Sequence, residues 1–379
     1  MKSIVVKKDL ILKKYIEHYL KNDNYVKQTP LTYSFLVTKK CPLHCKHCFN
    51  SSIEKDERKQ ELTLEEYDKL SRSMNPFLTA FFGGGEPFVR DDFYKIVSLF
   101  RKNCNMQWSS VTTNGMLQEN ILSQVEKICD NAPSQKFVLN FSLDGYKEQH
   151  DFIRGNGVFD RCFDTILQCN KLKKIYNNLS IGLVTTMTTV NENILVDFFE
   201  DISHMLKPDV ISLLLVRQSP RDGKYLKQID PTNYYNAQNK LYDLFLLGKN
   251  GNPENPNAFF PFAFYDFINK TLISEQREFH CYAGLYGACI DFYGNVNPCE
   301  VLNDYKCNDK PLLMGNLRDY NMNFKKLWTS ENAETVKKTV NNNICCEKCT
   351  HETEGILPSI YYEPNAKVYR ERIRKYVEL

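Results

Sequence analysis

Val37-Thr38-Lys39-Lys40-Cys41-Pro42-Leu43-His44-Cys45-Lys46-His47-Cys48-Phe49 is the stretch on which the reading of this chain turns. It closes an apolar, β-prone run and at once sets three cysteines in the spacing Cys41-x3-Cys45-x2-Cys48. Thiols packed this closely reach one metal centre, and three of them on a four-iron cluster leave one iron without a protein ligand. An iron with an open position binds a substrate or cosubstrate, so the spacing suggests chemistry more than scaffolding. The same spacing suits a structural zinc ion if His44 or His47 closes its tetrahedron, and the triplet alone leaves both open.

Working outward, β-prone runs at 32–37, 79–82, 108–113, 137–143, 180–186 and 210–216 alternate with amphipathic stretches at 63–74, 91–101, 118–128, 159–176 and 193–205. Thr63 and Glu66 have the spacing of a capping box at the first helix. Strands alternating with helices predict a parallel sheet, and right-handed crossovers curl such a sheet into a barrel or partial barrel. The cysteine triplet, Gly83-Gly84-Gly85-Glu86-Pro87, Thr113-Asn114-Gly115 and Ser142-Leu143-Asp144-Gly145 all fall at or just after the carboxyl ends of these strands. That is the face on which such barrels carry active sites. Cys104, Cys129, Cys162 and Cys169 sit on apolar stripes or helix ends and read as core residues.

Taken in order, these motifs resemble the radical S-adenosylmethionine superfamily. The resemblance implies that Cys41, Cys45 and Cys48 hold a 4Fe–4S cluster whose open iron is chelated by S-adenosylmethionine. Reductive cleavage then gives a 5′-deoxyadenosyl radical that abstracts a hydrogen atom from substrate. It implies cofactor contacts at Gly84, Gly85 and Glu86, at Thr113 and Asn114, and at Ser142, Asp144 and Arg154. Glycine suits the first of these, because a residue without a Cβ lets backbone come close to a ligand. For Arg154 the rival reading is a surface ion pair with Asp151 or Asp160. The implied fold is an α/β partial (β/α)6 TIM-like barrel over residues 31–230, after an N-terminal extension over 1–30. A linker with helices is expected over 231–280, including a helix at 233–247. In the loop after the sixth strand, Arg217, Arg221 and Asp222 are candidates for substrate contact, against the reading of a solvated turn. The aromatic run at 259–265 reads as packing between domains or as a substrate lid.

A second cysteine group follows. Gly294-Asn295 between apolar residues predicts a β-hairpin that brings Cys281 and Cys299 together. The segment resembles the SPASM/twitch extension of the same superfamily, through Cys281-x12-Gly294-x4-Cys299, Gly315-Asn316-Leu317 and Cys346-x2-Cys349. No cysteine follows Cys349, which departs from a full SPASM pattern and implies one auxiliary 4Fe–4S cluster over 281–350, held by Cys281, Cys299, Cys346 and Cys349. Cys289, Cys307 and Cys345 are rivals for a place, and a four-cysteine zinc ribbon is the alternative. A helical tail is expected over 351–379.

The chain of 379 residues has a formal net charge of +3, which gives no broad basic face for nucleic acid. It shows no membrane-length apolar run, and its amino-terminal residues lack a secretory core. Fourteen cysteines without such a signal suggest the reducing cytoplasm. The resemblance implies an oxidoreductase supplied by an external electron donor such as flavodoxin or ferredoxin. Oxidation or crosslinking of a ribosomally made peptide is the leading expectation. The extension over 1–30 is too short for a fused leader-peptide-binding domain, which counts against it. The alternatives are a small-molecule dehydrogenase or epimerase acting on an aminocyclitol or sugar, and a non-catalytic metal-binding interaction protein.

Overall fold

The computed structural model describes residues 29–30, 32–51, 60–217, 220–226, 228–247, 256–303, 306–307, 310–342 and 346–351. Nearly all of the expected amino-terminal extension and carboxyl-terminal tail, and Cys345, lie outside the described residues.

Six parallel strands stand side by side in chain order: β1 (Thr32–Thr38), β2 (Thr79–Gly84), β3 (Trp108–Thr113), β4 (Lys136–Ser142), β5 (Leu179–Met187) and β6 (Val210–Leu215). The crossovers are α1 (Leu64–Ser73), α2 (Phe93–Cys104), α3 (Gln118–Asn131), α4 (Lys147–Arg154) with α5 (Val158–Leu172), and α6 (Leu195–Leu206). This is the partial barrel of the sequence reading. Period-two alternation gives the sheet two faces. On the helix side, the Phe35 ring lies 4.4 Å from that of Phe100 and the Tyr33 ring 5.4 Å from that of Phe324, so carboxyl-terminal residues enter the same core. The opposite face lines a cavity.

The capping box is complete: Thr63 Oγ1 accepts from Glu66 N at 3.2 Å and Glu66 Oε2 accepts from Thr63 N at 2.9 Å. Helix α4 has no counterpart in the sequence reading. At eight residues it is barely two turns, too short for a 3.6-residue period to register.

The expected hairpin forms from β7 (Gly287–Ile290) and β8 (Asn295–Asn297), turning at Gly294, whose φ is +85°. It does not stand apart. β7 lies parallel to β1, with Ser34 opposite Cys289 and Phe35 opposite Ile290, and β11 (Gly315–Asn316) pairs with β8. The sheet therefore has nine strands in the order β11-β8-β7-β1-β2-β3-β4-β5-β6. A separate two-stranded ribbon joins β9 (Lys306–Cys307) and β10 (Lys310–Pro311).

The helical linker comprises α7 (Pro231–Tyr242), a π-helical turn at Asp243–Leu247 and α8 (Pro256–Ser274). α8 packs on the outer strand: the Tyr265 hydroxyl accepts from Leu213 N at 3.0 Å. The short α9 (Phe324–Trp328) and α10 (Glu331–Asn341) complete the described α-helices. Among the described residues, no helix is long and apolar enough to cross a membrane.

Candidate active site

The loop leaving β1 carries Cys41, Cys45 and Cys48, and neighbouring elements fix it through its backbone. Lys46 N donates to Ile153 O at 2.9 Å, tying the loop to α4. From beyond β6, Arg221 N donates to Cys48 O at 3.1 Å and Asp222 N to Lys46 O at 2.9 Å. Arg221 Nε reaches Cys45 O at 3.3 Å. The loop after the sixth strand is therefore a clamp on the cysteine loop, made by a turn whose Arg221 and Gly223 are exposed.

The glycine run has a structural duty that the sequence reading missed. A Cβ on Gly85 would sit 2.2 Å from Lys40 O, and one on Gly84 would sit 2.5 Å from Thr38 O. Gly84 also has φ +113°, a left-handed value that side chains disfavour. The close approach is to the chain's own backbone, sealed by Gly85 N to Thr38 O at 2.7 Å and Glu86 N to Lys40 O at 2.8 Å.

Glu86 follows, with its side chain buried. Its carboxylate accepts from Thr113 Oγ1 at 2.8 Å, Asn114 N at 2.8 Å and Phe88 N at 3.2 Å. Burial pushes it up to about 7, and those hydrogen bonds only partly oppose the rise. Asn114 in turn points Nδ2 at Cys41 Sγ, 3.6 Å away, and Leu43 N donates to the same sulfur at 3.5 Å.

Ser142 ends β4 and lines the cavity. Asp144, just beyond, is fully buried. Its Oδ2 accepts from Arg154 Nε at 2.7 Å and lies 3.0 Å from His47 Nε2, while Oδ1 accepts from Thr186 N at 2.9 Å. Burial alone would raise this carboxyl, but the Arg154 guanidinium and then His47 override it and hold it well below the usual range. Arg154 is thus a buried partner of Asp144, not a surface one. Asp160 pairs with Lys147, and Asp151 caps Gly157 N and Phe159 N at 3.0 and 2.8 Å. Arg154 Nη1 lies 3.9 Å from Cys45 Sγ.

These groups front a cavity of about 390 Å³. Its lining includes all three thiol residues, Gly84–Glu86, Asn114, Ser142 and Arg154, and also Arg217 and Arg221. The inward positions of the strands are polar where a filled barrel would carry branched apolar residues: Ser34, Ser110, Asn140 and Ser212. Asn140 Nδ2 donates to Ser110 Oγ at 2.6 Å. Period-two counting along each strand would have found these four. Glu300, the residue after Cys299, also lines the cavity, and no local signal announces it.

The donor set fits an iron–sulfur cluster better than zinc. His47 faces Asp144, and His44 is exposed, so neither histidine is held to close a zinc tetrahedron. Instead N–H groups aim at Cys41 and Cys45 sulfurs, as suits thiolates shared with a larger anionic group. Burial pushes the Cys41 thiol up to about 11, so loading such a group must release protons.

The second group gathers around the hairpin. A Cβ on Gly284 would lie 3.1 Å from Pro298 Cβ, which places the Cys281 and Cys299 segments side by side. The turn carrying Cys346 and Cys349 is held by Arg277 N donating to Glu347 O at 2.5 Å. Burial pushes the Cys346 thiol up to about 12, with Cys349 and Cys281 adding to the rise as near neighbours. His351 N donates to Cys349 Sγ at 3.4 Å. Cys289, on β7, is buried with Leu36, Phe292 and Tyr293. Cys104, Cys129, Cys162 and Cys169 are buried in the core, as expected.

A family model described as the radical SAM superfamily matches residues 35–202, and one for an iron–sulfur cluster-binding domain, SPASM, matches residues 281–350. A cysteine-type anaerobic sulfatase-maturating enzyme of Clostridium novyi is 25% identical over 335 residues, covering 82% of each chain. The mycofactocin maturase MftC of Mycolicibacterium smegmatis is 24% identical, over 85% of this chain and 76% of its own. Among solved structures, native anSMEcpe with bound AdoMet and Kp18Cys peptide aligns with TM-score 0.58 at 19% identity, over 92% of this chain and 97% of that one. Streptococcus suis SuiB bound to precursor peptide SuiA aligns with TM-score 0.57 at 15% identity, over 83% and 68%. These two likenesses are of fold.

Proposed function

Because the chain belongs to the radical SAM superfamily and carries a SPASM domain, we propose that it oxidises or crosslinks a side chain of a ribosomally made peptide or protein. The observation that carries the reading is one cavity that runs from the three thiols to Glu300, beside Cys299 of the second group. Relatives named as maturases, and related folds solved with peptides bound, support a peptide as substrate.

Cys41, Cys45 and Cys48 would hold the first 4Fe–4S cluster, and Cys281, Cys299, Cys346 and Cys349 one auxiliary cluster. When bound, the first cluster and S-adenosylmethionine supply an electron and a carbon radical able to take a hydrogen atom. The chain's own work is placement. Glu86 orders the Thr113-Asn114 turn so that the Asn114 amide meets Cys41. Arg221 and Asp222 hold the cysteine loop from the far edge of the sheet. The apolar walls Leu36, Phe81, Val184 and Phe264 exclude water from a reactive centre. A substrate is met by Arg217, Arg221 and the hydroxyl-lined floor. An external one-electron donor, such as flavodoxin or ferredoxin, completes the reaction.

The test is anaerobic reconstitution, dithionite reduction and assay for 5′-deoxyadenosine. Cys41→Ala is expected to abolish its formation and Cys281→Ala to spare it. Formation that survives Cys41→Ala but fails in Cys281→Ala reverses the two assignments. Co-expression with short peptides encoded beside the gene, read by mass spectrometry, is expected to show one peptide lighter by the hydrogens an oxidation removes.

A further inference from the structure

One buried carboxylate organises what touches the Cys45 sulfur. Asp144 is 0% exposed and does not line the cavity, whereas Arg154 does. Both Asp144 oxygens are engaged, Oδ2 by Arg154 and His47 and Oδ1 by Thr186 N. Its backbone is fixed as well: Asp144 N donates to His150 Nδ1 at 3.1 Å and Asp144 O accepts from Asn191 Nδ2 at 2.7 Å. Bonds from β5, α4, the cysteine loop and the turn at Asn191 leave this side chain one position.

Arg154 is a rigid planar fork. With Nε committed to Asp144, Nη1 is set 3.9 Å from Cys45 Sγ and Nη2 3.5 Å from His47 Nε2. A cation beside a ligand sulfur favours the more negative state of the group that sulfur holds, and hydrogen bonds to sulfur are a known lever on reduction potential. Cys45 and Arg154 are both buried, so the effect is weakly screened.

We propose that Asp144 is a positioning residue that aims the Arg154 guanidinium at Cys45, and that Arg154 thereby raises the reduction potential of the cluster at Cys41, Cys45 and Cys48. This rests on the reading of those three residues as cluster ligands. It assigns Asp144 a role without contact to S-adenosylmethionine.

The test is a redox titration of the reconstituted full chain with dithionite and mediators, without S-adenosylmethionine, followed by electron paramagnetic resonance. A protein carrying Cys41→Ala, Cys45→Ala and Cys48→Ala together gives the signal of the second group alone, for subtraction. At a fixed potential Arg154→Gln is expected to lower the ratio of reduced to oxidised first cluster about tenfold, the worth of one charge-assisted hydrogen bond. Arg154→Lys, which keeps the charge, recovers part of it. Asp144→Asn discriminates aim from charge. Loss of a nearby negative charge alone would ease reduction, whereas loss of aim hinders it as Arg154→Gln does. An unchanged potential in Arg154→Gln, or easier reduction in Asp144→Asn, overturns the proposal. If Asp144→Asn does not fold, the two Arg154 variants decide. A wild-type signal that the triple-cysteine protein retains in full sinks the cluster assignment itself, before any Arg154 variant is made.

Discussion

Glu86 and His150 are buried, and their protons pull stability in opposite directions. Burial raises the Glu86 carboxyl from 4.5 to about 7, so its contribution is fully present below pH 4.5 and is lost as pH rises through 7. Burial, helped by Arg154, lowers His150 from 6.5 to about 4, so its contribution is present above pH 6.5 and is lost as pH falls through 4. Each amounts to about 3 kcal/mol across its window. Where the windows overlap, between pH 4.5 and 6.5, the slopes cancel. Thermal unfolding of the metal-free protein is therefore expected to vary little over that range. Glu86→Gln is expected to leave stability that climbs with pH, and His150→Gln stability that falls. A flat profile in both variants would show that neither proton is coupled to folding. The sequence gives no hint of this pairing, because nothing local says that the two side chains are dry.

At the scale of the element, the junction between the β2 end and the cysteine loop is the tightest point of the site. Gly85→Ala forces a Cβ to 2.2 Å from Lys40 O, which must move by more than an ångström. The expected result is loss of the iron held by the first thiol group with retention of the second. At Gly223 an added Cβ meets nothing within 4 Å, so Gly223→Ala should keep both; iron analysis with electron paramagnetic resonance distinguishes them. The barrel strands were legible because each is a short β-prone run closed by a turn signal, and β1 (Thr32–Thr38) extends the expected run at 32–37 by one residue. The motif positions followed from the strand ends. Less was legible where sequence carries no period. α4 is too short, and α8 is apolar along nearly its whole length, so its helix showed no amphipathic stripe. Arg154 and Asp144 were both found as candidates, but their pairing was not, since the nearer Asp151 suits helical spacing with Arg154 equally well.

At the scale of the whole molecule, the second cysteine group is bound to the barrel by backbone and side chains together. Lys39 Nζ, in the cysteine loop, reaches the Tyr293 hydroxyl at 3.0 Å, and Leu62 N donates to Phe292 O at 2.8 Å. Arg318 pairs with Glu66 of the first capping box at 2.7 Å. The two parts should therefore unfold in one transition. A chain ending at residue 280 would bare the β1 edge and is expected to self-associate on size exclusion; a monomer that still binds the first cluster would show the barrel to be independent. The hairpin itself was legible from Gly294-Asn295, but its docking on β1 was not, since pairing between distant segments leaves no local trace. That distance also reaches into synthesis. β1 and β7 lie about 250 residues apart in the chain, and at roughly 5–20 residues per second the ribosome takes on the order of ten to fifty seconds to deliver the second after the first. The cysteine loop after β1 is thus translated well before the strand that will lie beside it. For that interval the edge of β1 that β7 later covers stays open to any other strand.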